Sequence, residues 1–520
     1  MMRSILTVST GTLASRLLGF ARDAMLAALL GAGPIADAFL AAFQLVTIVR
    51  RLLTEGALNA VLVPAWLRLR DTAGAPAAAA FAGRVLGSVS AALLIVTLLL
   101  ALFMPLVIGA LAPGFAGTDT LRLAVTDARL MLPYLAFAGP AVVMLALASA
   151  IGRFGLTAFS PLLFNVALIA VMAVLVLMRQ EPGVAATILA ATVGVAGLLQ
   201  LLVLASRRRD GDAATPLRVS CDAEMRGFFA RAAPAMIANS GPQLLAVIGA
   251  VIASASPSAV SWLYFANRLI ELPLGIVGVA MGTVLVPELT RALRGGTAAD
   301  VAHAESRGLE LAVGLALPAT VGLIVLAGPI ARLLFEHGAF TATDAAATAG
   351  MLVWLALGLP AYVLVKALSP AFFAREDTIA PLRATAISAV VALVLALLFG
   401  HVCGPQGIAA GLACGAWANA VSLIRRGRAT FGFAIDAAAR RRLPRLVAAA
   451  FAMGALLGLG TRLLPDRVMS GHSVVQAGAL LLLIALGIAA YALFLRLFGV
   501  TGWRQAVAAI RRQGGDDLHG

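Results

Sequence analysis

ADAFLAAFQLVTIVRRLLTEGALNAVLVP, residues Ala36 to Pro64, is the stretch on which the reading of the fold turns. It is apolar over more than the roughly 20 residues that a bilayer-crossing helix needs, yet it carries Asp37, Gln44, Arg51 and Glu55. These four are spaced 7, 7 and 4 residues apart, so in a helix they fall on one narrow stripe. An arginine at the centre of a membrane helix costs about 2.5–3.5 kcal/mol even on lenient insertion scales. The stripe therefore faces a bundle interior or an aqueous cleft, where Glu55 can pair with an arginine. Arg50 points about 100° away from Arg51, so it faces a different neighbour or the helix is bent.

The stretch is one of fourteen of its kind, beginning near residues 5, 37, 84, 129, 158, 184, 228, 259, 309, 345, 381, 406, 443 and 473. The chain is 61% hydrophobic and 12% charged, with mean hydropathy +0.99, against about 25% charged residues in a soluble domain. An all-α integral membrane protein with fourteen transmembrane helices is the expectation. The first apolar stretch runs on through Arg16, Arg22 and Asp23 without a small-residue cleavage pattern, so it reads as the first membrane helix and not as a cleaved signal.

A net charge of +15 would suggest nucleic acid in a soluble protein. Here the positions of the 38 arginines and single lysine exclude it, because the charges alternate by loop. With the N-terminus placed inside, 27 fall on that side and 6 on the other. The positive-inside rule then puts both termini in the cytoplasm of a multi-pass inner-membrane protein. Runs such as Arg207–Arg209 and Arg440–Arg442 read as topology signal and attraction to anionic membrane lipid. Cys221, Cys403 and Cys414 are isolated thiols, and no spacing assembles a metal site or a nucleophile with its base. The outer loops are too short to house a glycosyltransferase centre, so the chain does not read as an enzyme.

The closing Leu62–Pro64 of the quoted stretch returns as Leu285–Pro287, an offset of 223. Pro105 pairs with Pro329, Pro140 with Pro360, and Pro161 with Pro381, at offsets of 224, 220 and 220. Six helices therefore repeat. An even number returns the chain to the same side, which makes the repeats parallel, related by an axis along the membrane normal, with a central cavity between lobes. The expected division is 1–220 and 221–430 for the two six-helix lobes, 431–500 for helices thirteen and fourteen, and 501–520 for a cytoplasmic tail.

Five arginines lie inside otherwise apolar segments: Arg16, Arg22, Arg50, Arg51 and Arg268. Ser15 and Asp23 accompany the first two, and SWLYFANRLIELP from Ser261 to Pro273 sets Arg268 and Glu271 one helical turn apart. Guanidinium stays charged almost anywhere and grips phosphate with a bidentate fork. Asp23, Asp37, Glu55 and Glu271 could brace four of the five bases. Burying ion pairs is a poor route to stability where apolar residues would pack as well, so an anion-receiving cavity is the better reading.

SRLLGFARDAML (Ser15–Leu26), GAGPIADAFLAAFQL (Gly31–Leu45), RRLLTEGALNAVLVP (Arg50–Pro64) and WLYFANRLIELPLGIVGVAMGTVLVP (Trp262–Pro287) closely resemble the MurJ/MviN family of lipid II flippases, within the wider group of multidrug, oligosaccharide-lipid and polysaccharide exporters. RFGLTAFSP (Arg153–Pro161), LLFEHGAF (Leu333–Phe340) and FFAREDTIAP (Phe372–Pro381) extend the resemblance through most of both lobes. The resemblance implies movement of lipid II to the outer leaflet by alternating access, with Arg16, Arg22, Arg50 and Arg268 on its pyrophosphate. It implies supporting roles for Ser15, Asp23, Asp37, Glu55 and Ser261, and a groove for the lipid tail on helices thirteen and fourteen. It favours Arg50 where periodicity favours Arg51, so both stay in view.

Some family members bind sodium through acidic and amide side chains on helices seven and eleven. Here Ala389–Phe399 is wholly apolar and helix seven has no carboxylate. No cofactor or metal is expected, and coupling through the membrane potential, worth about 2.3 kcal/mol per charge per 100 mV, or through a cation takes its place. The chain is expected to act as a monomer. An exporter of another lipid-linked oligosaccharide is the nearest alternative; a cation or drug antiporter would want an acidic cavity.

Overall fold

A computed structural model describes residues 2–54, 57–206, 217–220, 222–238 and 241–281, isolated positions from 285 to 295, and residues 297–373, 375, 377–433, 435–463 and 474–500. Among the described residues each of the fourteen apolar stretches is largely helical, and no strand occurs among them. The cause is the solvent: hydrocarbon offers no partner for N–H and C=O, so each segment must satisfy its own backbone. Nine helices among the described residues are by themselves long and apolar enough to cross a membrane, from Val61–Leu102 to Val474–Leu497.

Helix is described on both sides of residues 55–56 of the opening stretch, which lie outside the described residues. One helix spans Pro34–Thr54 and the next begins at Ala57, running to Leu102 with a break at Gly74, where φ is 85°. At 1.5 Å per residue its 46 residues are too long for one bilayer crossing. Gly74 accepts the left-handed backbone that divides it. Glu55 lies outside the described residues, as do Val286 and Pro287 of the second Leu-Val-Pro.

The duplication is written in the helix order. Pro34–Thr54 and Ala259–Ala280 begin 225 residues apart, and Phe154–Leu177 and Ile379–Cys403 do the same. Met104–Leu111 precedes Ala327–Phe335 by 223, and Pro182–Ser206 precedes Pro405–Phe431 by 223. Turn chemistry marks the boundaries. Gly31 ends the first helix, Met2–Leu30, with φ 68°, and Thr341 and Asp344 cap Ala342–Phe373 reciprocally.

The chain forms two compact units, Met1–Phe265 with Leu334–Ala345, and Ala266–Leu333 with Ala346–Gly520. In the first, Leu62, Phe81, Val85, Val89, Val143 and Phe228 make an apolar core. In the second, Ala437–Leu463 and Val474–Leu497 pack on Ala298–Val325 through Leu446, Met453, Leu457 and Leu480, and the Tyr491 hydroxyl donates to the Gly314 carbonyl at 2.9 Å. Gly411 and Gly415 let Pro405–Phe431 lie directly against Ile379–Cys403, where the Ser388 hydroxyl donates to the Gly415 carbonyl at 2.7 Å.

Two loops of the first unit reach across the duplication. The Gly114 amide donates to the Ser254 hydroxyl at 3.0 Å, and the Ala339 amide donates to the Ala28 carbonyl at 2.8 Å. Gly114 and Gly338 are 224 residues apart, and each sits so close to the opposite helix end that a Cβ would strike its backbone. The two contacts are thus reciprocal. A third contact joins equivalent positions directly, since Asp37 bonds Ser261, 224 residues on. Equivalent groups of two-fold-related repeats meet only near the axis, so Asp37 marks it.

Candidate functional site

Two arginines of the first unit, Arg22 and Arg50, share an aromatic ring. Met2–Leu30 packs against Phe154–Leu177, and this crossing brings Arg22 and Asn165 together: Arg22 Nη1 donates to Asn165 Oδ1 at 3.1 Å. Asn165 in turn donates to the Ser15 carbonyl at 3.2 Å. Arg22 is only 7% exposed. Its Nε and Nη2 both donate to Asp23 Oδ1, at 2.8 and 2.6 Å, and the Tyr264 hydroxyl donates to the same oxygen at 3.3 Å. The guanidinium lies 5.2 Å from the centre of the Phe43 ring and 5.9 Å from that of Phe164.

Arg50, on Pro34–Thr54, comes to the same ring at 5.8 Å, and Tyr134 hydrogen-bonds it. Two guanidinium groups that share one ring centre at these distances can be no more than about 12 Å apart, where their repulsion at an effective dielectric near 20 is still roughly 1.4 kcal/mol. Cation–π contacts worth about 0.5–2 kcal/mol each offset it, and Asp23 balances Arg22. The result is a pair of fixed, partly compensated cations.

Arg16 and Arg51 are half-buried on the same two helices. Asp37, 2% exposed, serves a different purpose from bracing an arginine. It accepts from the Ser258 amide at 2.8 Å, the Ser261 amide at 2.9 Å and the Ser261 hydroxyl at 2.5 Å, fastening the start of Ala259–Ala280. In the second unit Arg268 Nη1 pairs with Glu271 at 2.7 Å. Of the residues singled out from sequence, Ser15, Arg22, Asp23 and Arg50 thus come together, Asp37 joins Ser261, Arg268 joins Glu271, and Glu55 lies outside the described residues.

Sequence reasoning passed over Asn165, Phe164, Phe43, Tyr134 and Tyr264. Asn165 had a signal: it is the one amide in the apolar run PLLFNVALIAV, Pro161 to Val171, and an amide in a membrane helix asks for a partner as an arginine does. The aromatic residues gave none, because in so apolar a chain a ring that holds a cation reads like a ring that fills a core.

Comparison with known proteins now adds to this geometry. A family model described as lipid II flippase MurJ matches residues 26–476. A probable lipid II flippase MurJ from Rhizobium tropici is 36% identical over 506 residues, covering 96% of this chain and 94% of the relative. Among solved structures, a lipid II flippase MurJ in an inward closed conformation superposes with TM-score 0.79 at 21% identity, over 97% of this chain and 100% of that one. An inward-facing multidrug transporter of the MATE family superposes with TM-score 0.67 at 17% identity, over 85% and 98%. These two structural likenesses concern the fold alone.

Proposed function

This chain belongs to the lipid II flippase MurJ family, and on that premise we propose that it moves lipid II from the inner to the outer leaflet of the bacterial inner membrane by alternating access, with both termini in the cytoplasm. The observation that carries the reading is the cluster of buried Arg22 and half-buried Arg50 around Phe164. A pyrophosphate presents two adjacent anionic centres, and two guanidinium forks held by protein and not by water can receive both without reorganising. Arg16, Arg51 and Arg268 are the further arginines that this reading assigns to the substrate. Asp23 and Tyr264 hold Arg22 in its rotamer, and Ser15 anchors Asn165.

The step requires no covalent chemistry and no cofactor. The sugar head passes through a hydrated cavity between six-helix lobes while the tail stays in lipid along Ala437–Leu463 and Val474–Leu497. The membrane potential or a cation supplies the direction. The protein works as a monomer, with lipid II and the surrounding lipid as its partners.

Depletion in the native bacterium tests the substrate. Lipid II should accumulate in the inner leaflet, and accumulation of a different lipid-linked saccharide would reassign the cargo. Reconstituted Arg22→Ala and Arg268→Ala should lose headgroup translocation while keeping their helical content; normal transport by either removes that arginine from the site.

A further inference from the structure

Phe164 has no established part in handling an anion, and its position gives it one. The ring is 5% exposed, too buried to touch a headgroup. It sits on Phe154–Leu177, a different helix from those that carry Arg22 and Arg50, and both guanidinium groups lie within 6 Å of its centre. Its own position is fixed from three sides. Phe43 stacks on it at 6.3 Å, Tyr134 meets it edge-on at 5.4 Å, and the adjacent Asn165 is bonded to both Arg22 and the Ser15 carbonyl. Tyr134 also bonds Arg50, so ring, amide and phenol form one frame around two cations.

We propose that Phe164 is a positioning residue that sets the separation of Arg22 and Arg50, and that this separation makes the site selective for a diphosphate lipid over a monophosphate lipid. The inference rests on the substrate reading above and deepens it. A monophosphate engages one fork and gains little from a second at a fixed distance. A diphosphate engages both, but only while neither arginine swings away under their mutual repulsion. The negative face of an aromatic ring attracts each cation towards a common point. An aliphatic side chain of similar bulk fills the space without that attraction.

The test compares the full-length wild type, Phe164→Leu, Phe164→Tyr and a chain with trifluorinated phenylalanine at 164, all in detergent, titrated with lipid II and with a polyprenyl monophosphate of the same tail. Fluorination keeps the shape and drains the ring's negative face, which decides the matter should the leucine variant unfold in a melting control. We expect the leucine variant to lose about ten-fold in affinity for lipid II, from loss of cation–π attraction, with little change for the monophosphate. The fluorinated ring should fall between, and tyrosine should retain the preference. Equal losses for both lipids would mean that Phe164 is only packing, and unchanged affinities would likewise overturn the proposal while leaving lipid II as the cargo. A wild type that binds neither lipid, or that shows no preference for the diphosphate, overturns the selectivity proposal, and failure to bind lipid II removes the substrate reading with it.

Discussion

Two fastenings inside the unit Met1–Phe265 with Leu334–Ala345 join the first repeat to the second, and they are built from opposite materials. One is the reciprocal clasp: Gly114 on Ser254, Gly338 on Ala28, and Asp37 holding Ser258 and Ser261. It is made largely with backbone, centres on the buried Asp37 and Ser261, and lies where the repeat axis passes. The other is Arg84, which reaches Asp222 at 2.8 Å and Glu224 at 2.6 Å, with the Ser88 hydroxyl donating to the Ser220 carbonyl beside it. It is part-exposed and made of side chains. Shape holds the first, and screened charge holds the second. A protein that works by alternating access needs a joint that seats in one geometry and another that can be remade in water, and the two fastenings answer to those requirements.

The largest effect should come from the clasp's closest approach. Gly338 has φ 58° and its missing Cβ would meet the Ala28 backbone. Gly338→Val adds left-handed strain of about 1–2 kcal/mol to a clash that the backbone cannot relieve cheaply. We expect an overall loss of about 3 kcal/mol or more, seen as a large fall in melting temperature in detergent. Near-normal melting would mean that the clasp is loose and the contrast between the fastenings is overdrawn.

Asp37→Ala ranks second. It strips the partner from two amides and a hydroxyl at once, and orphaned buried donors cost about 1–3 kcal/mol. A double-mutant cycle with Ser261→Ala should show a coupling of roughly 1–2 kcal/mol. Additivity would show that Asp37 acts without Ser261.

Arg84→Ala ranks third. Its side chain is 27% exposed and its partners more so, and pairs of this type are worth about 0–1 kcal/mol. Raising salt from 0.05 to about 0.5 M should erase most of the difference from wild type, because the Debye length falls well below 10 Å. The same salt series should leave Asp37→Ala unchanged relative to wild type. That pair of results would separate the fastenings most directly.

These two joints also show what a sequence of this kind discloses. The all-helical membrane fold, the repeat and the arginines inside apolar helices were legible because each depends on pattern along the chain: apolar length, spacing of landmarks, charge where lipid forbids it. Asp37 was legible as a buried acid, but its partner was not. Helical periodicity put it on a stripe with Arg51 and Glu55, whereas its neighbours are set by how Ala259–Ala280 crosses it 224 residues later. Phe164 was opaque for a related reason, since Arg22, Arg50 and the ring come from three helices.

The smallest effect belongs to protons at the exposed fastening. Asp222 accepts from the Met225 amide at 2.8 Å, from the Ser220 hydroxyl at 2.8 Å and from Arg84. These bonds, the Met225 amide first, hold its carboxyl below the ordinary value of 3.8. A carboxyl lowered in the folded state contributes stability that is fully present above its unfolded pKa and is lost as pH falls through the folded one. Melting temperature should therefore be insensitive to Asp222 at neutral pH and should fall as the solution is acidified below about 4. Asp222→Asn should lower stability slightly at pH 7 and flatten that acid limb. The clasp contains no exposed carboxylate, so an acid limb that survives Asp222→Asn unchanged would place the titration elsewhere and remove Asp222 from the account of the weaker joint.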